Sequence, residues 1–130
     1  MKFGYTIVYV PDVSSSLDFF ERAFGFSRRF LHESGTYGEL DTGETTLAFA
    51  AHELAEMNYK TGHVAANTSP KPLGMEVAFV TDGVEIAHRY ALAAGATELA
   101  PPTTKPWGQV VSYVRCPDGT LVELCSPIAV

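Results

Sequence analysis

Two glutamates stand out in the sequence because each interrupts an otherwise apolar, strand-like run: Glu76 and Glu123. A carboxylate that is buried without a partner costs several kcal/mol, so we expect both side chains to face a ligand or to find a partner. If the two approach each other without a cation, repulsion and desolvation raise the pKa of at least one. A bound cation, a metal ion, internal hydroxyl groups, or Arg115 or Lys105 would relieve that repulsion.

Aromatic side chains supply the other half of a candidate binding site. Trp107 lies between a proline and a glycine, a turn in which it is better placed to wall a cleft than to fill a core. Aromatic faces beside carboxylates favour a flat or cationic molecule through stacking and cation–π contacts, although packing in the core is the alternative for any one ring. The aromatic residues on strand-like segments or their edges are Tyr5, Tyr9, Phe49, Trp107 and Tyr113.

Other catalytic patterns are missing from the sequence. It contains no CxxC, no GxSxG and no phosphate-binding loop. Cys116 and Cys125 are expected to be free, buried thiols. We expect the four histidines at the surface or the rim of a site, and a metal ion bound through His52 or His63 stays open as an alternative. The histidines are His32, His52, His63 and His88.

Length, composition and charge limit the class of protein. The 130 residues are 46% hydrophobic and 18% charged, which is typical of a globular domain and excludes a disordered chain. Fifteen acidic against nine scattered basic residues give a net charge of −6, so we expect no nucleic-acid partner. No apolar run approaches the roughly 20 residues that cross a bilayer, and no basic leader precedes the first strand, so we expect no membrane partner and a cytoplasmic location.

The elements that must position these residues follow from an internal repeat with an offset of 70 residues. An apolar β-rich run ends at Asp12 and another ends at Asp82, and both aspartates are predicted to be helix N-caps. The following helices are predicted to end at Gly25 and Gly95. The helix positions that the repeat equates are Leu17, Phe20 and Phe24 with Ala87, Tyr90 and Ala94.

Three strand-like runs follow each helix, so each half reads strand, helix, strand, strand, strand. Between the halves lies a polar stretch that begins with a helical turn at Glu53–Met57. The predicted runs are Phe26–His32, Tyr37–Asp41 and Thr45–Ala51 in the first half, and Thr97–Ala100, Gln109–Arg115 and Leu121–Cys125 in the second.

Two stretches carry a resemblance to a known family. One combines Asp12 with Ser16-Leu17-Asp18-Phe19-Phe20 and Phe24-Gly25-Phe26, and the other runs from Pro106-Trp107-Gly108 to Pro117-Asp118-Gly119-Thr120-Leu121-Val122-Glu123-Leu124. With them, the chain resembles the vicinal oxygen chelate superfamily, which includes glyoxalase I, bleomycin resistance proteins, fosfomycin resistance enzymes and extradiol dioxygenases. In type it is most similar to the bleomycin-resistance-like members that lack a metal.

The resemblance implies an α+β fold of two tandem βαβββ modules whose mixed sheets curve around a cup-shaped cavity. It implies one domain over residues 1–130, with the first module at 1–51, a linker at 52–74 and the second module at 75–130. Family members commonly form two-fold dimers, so a homodimer is expected, with modules pairing within or between chains.

In the metal enzymes of the family, His, Gln or Glu ligands come from the first and last strands of each module. These positions fall on Tyr5 and Ala48 in the first module and on Glu76 and Glu123 in the second. This set departs from the family pattern, because only the two glutamates bind a divalent metal well and no imidazole is present. We therefore expect no cofactor, and any metal ion would be held by Glu76 and Glu123.

Two functional hypotheses result. In the first, the protein sequesters a small cationic or aromatic molecule, as an antibiotic resistance protein of this family would, without transforming it. In the second, it is a divalent-metal-dependent lyase or dioxygenase of the glyoxalase type that uses Glu76 and Glu123. The residues expected to contact the ligand are Tyr5, Ala48, Glu76, Trp107, Tyr113 and Glu123.

Overall fold

The computed structural model describes residues 1–128, so residues 129 and 130 of the expected second module lie outside the described part. Within it, no helix is long and apolar enough to cross a membrane. The elements are β1 (Tyr5–Val10), α1 (Val13–Phe24), β2 (Ser27–Leu31), β3 (Tyr37–Asp41), β4 (Thr46–Ala51), α2 (His52–Asn58), β5 (Val77–Val80), α3 (Val84–Ala94), β6 (Thr97–Thr104), β7 (Val110–Arg115) and β8 (Leu121–Cys125).

The strands form two separate four-stranded mixed sheets, with orders β1-β4-β3-β2 and β5-β8-β7-β6. In each sheet the first and last strands of a module pair in parallel, and the other neighbours are antiparallel. Two tandem βαβββ modules and the α+β class are therefore confirmed. The sheets do not close into one, because β1 and β5 are edge strands that share no ladder.

Helix α1 forms where the sequence predicts it. The Asp12 carboxylate accepts a hydrogen bond from the backbone N–H of Ser15 (3.1 Å), and Gly25 ends the helix at φ 78°. Leu17 and Phe20 are fully buried, and the ring of Phe20 lies 4.8 Å from that of Phe49 in β4. Phe49 therefore faces the helix and belongs to the core, which is the alternative that the sequence leaves open for each strand aromatic.

Helix α3 corrects the predicted register of the repeat. Its N-cap is Gly83 rather than Asp82, and the helix makes no side-chain capping bond. The offset is therefore 71 residues at the N-cap and 70 at the final glycine, because α3 is one residue shorter than α1. Tyr90 is accordingly 66% exposed, and Ala91 occupies the buried position that corresponds to Phe20.

The two modules share one hydrophobic core, to which helices α1 and α3 and both sheets contribute. Phe79 of β5 packs edge-on against Phe24 and Phe26 of the first module. The Ser16 hydroxyl of α1 donates to the Asp118 carboxylate in the β7–β8 turn (2.7 Å). The modules therefore form a single packed unit rather than two independent domains.

The segment that connects the modules is held against the second one. Arg115 donates to the carbonyl oxygens of Ala66 (2.7 Å) and Ser69 (2.8 Å). Gly119 has φ 93°, and a Cβ there would lie 2.3 Å from the Ala66 carbonyl. Glycine is thus required at this turn both for its conformation and for the close approach of the connecting segment.

Candidate functional site

The second sheet places several chemically active side chains on the face opposite α3. Strand alternation turns Val122 and Leu124 toward the core and Glu123 and Cys125 to the other face. Tyr113 lies directly opposite Glu123 in the β7–β8 ladder. Glu76 immediately precedes β5, beside Glu123. We call this group of Glu76, Tyr113, Glu123 and Cys125 the Glu123 cluster.

Hydrogen bonding and charge perturb this cluster. The Tyr113 hydroxyl donates to Glu123 Oε1 (2.8 Å). This bond, together with desolvation and the Glu123 charge, raises the pKa of Tyr113 to about 12. The pKa of Glu76 is also raised, chiefly by desolvation and then by the hydrogen bond and charge of Glu123. Burial and the same carboxylate raise the pKa of the Cys125 thiol. Glu76 and Glu123 therefore lie close enough to perturb each other, which is the condition under which the sequence analysis expects a raised pKa.

No basic side chain among residues 1–128 forms an ion pair with Glu76 or Glu123. Arg115, which the sequence suggests as a partner, instead donates its hydrogen bonds to carbonyl oxygens of the connecting segment. Two adjacent carboxylates without an arginine or lysine partner among the described residues form a negatively charged patch. Such a patch favours a cation, which would lower the repulsion that raises the Glu76 pKa.

The first sheet carries a different polar group on the face opposite α1. Glu39 is 8% exposed and accepts hydrogen bonds from the Tyr37 hydroxyl (2.7 Å) and Arg29 (3.3 Å). Burial and Glu39 raise the pKa of Tyr37. Sequence analysis missed this group, although Tyr37 and Glu39, two residues apart on one strand, signal a shared face. In contrast to the Glu123 cluster, its carboxylate is compensated by an arginine.

Within residues 1–128, no hydrogen bond connects the remaining candidate residues to the Glu123 cluster. Tyr5 and Ala48 lie on the first sheet, where Tyr5 is 58% exposed and Ala48 is fully buried. Trp107 lies in the β6–β7 turn, is 61% exposed and donates from Nε1 to Gln109 (2.9 Å). The structure thus groups Glu76, Tyr113 and Glu123, while the others stand apart in this single chain.

The histidines divide into two environments. His88 is 3% exposed and lies between Ser112 and Glu98, so the expectation of a surface position is wrong for it. His52 and His63 share a hydrogen bond between His52 Nδ1 and His63 Nε2 (2.8 Å). Sequence reasoning could not find this pair, because its members lie 11 positions apart, His52 at the start of α2 and His63 in the irregular segment that follows the helix.

The residues present do not supply a complete metal centre. Among residues 1–128, no group of three or more His, Cys, Asp or Glu side chains is arranged to hold a metal ion. Glu76 and Glu123 offer two carboxylates, whereas protein sites for catalytic metals usually provide three side-chain ligands. His52 and His63 direct ring nitrogens at each other rather than at a common point. We therefore derive no chemical step that passes through a metal.

Both the sequence and this architecture are similar to those of known proteins. The sequence profile described as the Glyoxalase/Bleomycin resistance protein/Dioxygenase superfamily matches residues 2–124. No curated protein matches the chain significantly.

Solved structures share the fold at low sequence identity. A glyoxalase-related enzyme from Fulvimarina pelagi is 20% identical with a TM-score of 0.82, over 98% of this chain and 88% of that one. A glyoxalase/bleomycin resistance protein/dioxygenase family enzyme from Burkholderia phytofirmans PsJN is 21% identical with a TM-score of 0.82, over 99% and 100%. A protein of unknown function from Agrobacterium tumefaciens str. C58 is 24% identical with a TM-score of 0.77, over 98% and 94%. These likenesses concern the fold.

Proposed function

We propose that this chain, which belongs to the Glyoxalase/Bleomycin resistance protein/Dioxygenase superfamily, binds and sequesters a small cationic aromatic molecule at the Glu123 cluster. The observation that carries the proposal is the pair of adjacent carboxylates, Glu76 and Glu123, with no arginine or lysine paired to them among the described residues. A fold of this family hosts many activities, so the function is argued from this cluster.

Charge supports a cationic ligand. Desolvation and Glu123 raise the pKa of Glu76 and so destabilise its ionised form relative to a free glutamate. A cation between the two carboxylates removes that penalty, so it binds more tightly than a neutral molecule of the same shape. The net charge of −6 adds a long-range attraction of the same sign.

Aromatic surface supports a flat ligand. Tyr113 lies within the cluster, and its hydroxyl is held by Glu123, which fixes the orientation of the ring. A ring so held provides a rigid surface for stacking, and a cation above it gains further attraction from the ring face. In the proposed homodimer, Tyr5 or Trp107 of a second copy would add another exposed aromatic surface.

The alternative function is a divalent-metal-dependent lyase or dioxygenase that uses Glu76 and Glu123. No observation favours it over binding. The prediction that the protein carries no cofactor is tested by elemental mass spectrometry of protein purified without chelator. Near-stoichiometric metal that is lost in a double Glu76→Gln, Glu123→Gln variant would establish the alternative.

A matched pair of probes tests the binding proposal. N-methylquinolinium is a permanent cation, and quinoline is its neutral analogue near pH 8. We expect isothermal titration calorimetry to show tighter binding of the cation by the native protein. In the Glu76→Gln, Glu123→Gln double variant, the cation should lose about tenfold in affinity, since charge-assisted interactions contribute roughly 1.5–3 kcal/mol. Glu33→Gln, in an exposed turn, is the control with the same chemical change.

Two results would contradict the proposal. One is equal affinity of the native protein and the double variant for N-methylquinolinium. The other is chemical change of the probe on incubation with the protein, detected by mass spectrometry, because sequestration returns the molecule intact. The cytoplasmic location stays a prediction of the same proposal, in keeping with the two free thiols of Cys116 and Cys125.

A further inference from the structure

A cavity separates the edge strands of the two sheets and adjoins the Glu123 cluster at Glu76. Its volume is about 230 Å³, and it lies between β1 and the start of β5. Residues of the connecting segment and of the β7–β8 turn complete its walls, so it is built from both modules. Apart from Glu76, which reaches both places, its lining includes no member of the Glu123 cluster.

The walls of this cavity are mainly apolar, and three of its large apolar side chains stay exposed to solvent. Ile7 is 42% exposed, Val64 is 67% exposed and Met75 is 74% exposed. Covering such surface gains free energy in proportion to its area. Because a cavity of about 150 Å³ already holds benzene, this one has room for one or two fused rings.

One end of the cavity is polar and is organised by a chain of hydrogen bonds. Tyr59 and His63 line the cavity, and the Tyr59 hydroxyl lies 2.8 Å from His63 Nδ1. His63 Nε2 lies 2.8 Å from His52 Nδ1, and His52 Nε2 lies 3.3 Å from Asn67 Oδ1. The ring of Tyr9, a third polar lining residue, stacks on His63 with centroids 4.8 Å apart.

When both imidazoles are neutral, Asn67 at one end of this series of hydrogen bonds determines which atom donates in each bond. Asn67 Oδ1 can only accept, so His52 donates from Nε2 and its Nδ1 is left as an acceptor. His63 then donates from Nε2 to His52, and its Nδ1 accepts the proton of Tyr59. The Tyr59 oxygen consequently keeps acceptor capacity but no donor for a molecule in the cavity.

We propose that this cavity is a second binding site, which takes an apolar molecule of one or two fused rings that carries a hydrogen-bond donor, and that the Tyr59 oxygen accepts from that donor. The site reaches beyond the proposed function because it depends on the connecting segment and not on the paired carboxylates.

Indole and benzofuran test this proposal, because they share a shape and only indole carries an N–H. Titration followed by two-dimensional amide NMR should show indole binding with shifts at residues 6–9, 59–66 and 119–121. Benzofuran should bind about fivefold more weakly, as a net hydrogen bond is worth about 1 kcal/mol. Tyr59→Phe should weaken indole by the same factor and leave benzofuran unchanged.

Two control variants separate this site from the rest of the molecule. Tyr90→Phe removes the hydroxyl of a tyrosine that is 66% exposed on α3, and Glu33→Gln removes the charge of a glutamate in an exposed turn outside the cavity lining. Neither should change indole affinity. The proposal is overturned if indole does not bind, if Tyr59→Phe binds indole as the native protein does, or if the shifts map to Tyr113 and Glu123. Those results would leave the quinolinium experiment unaffected.

Discussion

At the scale of single residues, Glu76 is the side chain whose environment opposes its charge most clearly. Glu76 is exposed, but partial desolvation and Glu123 raise its pKa, so the folded protein holds the Glu76 proton more tightly than the unfolded chain does. A raised carboxyl pKa contributes stability that is fully present below the unfolded pKa and is lost as the pH rises through the folded value. Near neutral pH, therefore, ionised Glu76 destabilises the fold.

Glu76→Gln, which carries no charge at any pH, should remove this penalty. We expect its urea midpoint to exceed that of the native protein at about pH 7 and to match it at about pH 4, where the native glutamate is protonated. Glu33→Gln should shift neither midpoint. A Glu76→Gln midpoint that is equal to or below the native one at neutral pH would show that Glu76 is not strained by Glu123.

Residues of the candidate site were predictable where a single short stretch of sequence indicates their role. A glutamate within an apolar strand is visible in the sequence, and Glu76 and Glu123 were found in this way. The pairing of Arg29 with Glu39 was not predictable, because it depends on a register shift between β2 and β3 that turns the arginine to that face. The His52–His63 bond depends likewise on the path of an irregular segment.

At the scale of elements, the repeat fixed the order of strands and helices but misaligned α3 by one residue. With the observed N-caps, His88 rather than Ala87 occupies the place of the core residue Leu17. The imidazole is accommodated because His88 Nδ1 meets Ser112 Oγ (2.9 Å) and Nε2 meets Glu98 Oε2 (2.7 Å). A helical period alone could not reveal this, since the partners lie on β6 and β7.

This arrangement predicts a strong coupling between His88 and Ser112. His88→Leu should lower the free energy of unfolding by about 1–3 kcal/mol, because it leaves the fully buried Ser112 hydroxyl without a partner. The double variant His88→Leu, Ser112→Ala should recover most of the loss, since it replaces the polar pair by apolar groups. Urea unfolding of both single variants and the double variant measures the coupling. If His88→Leu alone were as stable as the double variant, the bond would have no structural value.

At the scale of the whole molecule, the helices cover one face of each sheet and leave apolar side chains exposed on the other. Tyr5, Ile7 and Phe30 are 41–58% exposed on the first sheet, and Val80 is 66% exposed on the second. The arrangement of two modules was predictable from the repeat, because each module must cover one face of its own sheet with its helix. What covers the sheet faces opposite the helices was not predictable, because such contacts would form between chains rather than within one.

We expect a second copy to cover these faces, in line with the homodimer implied by the sequence. Light scattering at micromolar concentration should give twice the chain mass of 14.1 kDa. Phe30→Lys, which places a charge in the face of the first sheet, should shift the mass toward the monomer, because a lysine in the centre of an interface is costly. Ile86→Lys makes a comparable change at a residue 61% exposed on α3 and should leave the dimer intact. A native monomer would refute the dimer, and a Phe30→Lys dimer would show that the subunits meet through another surface.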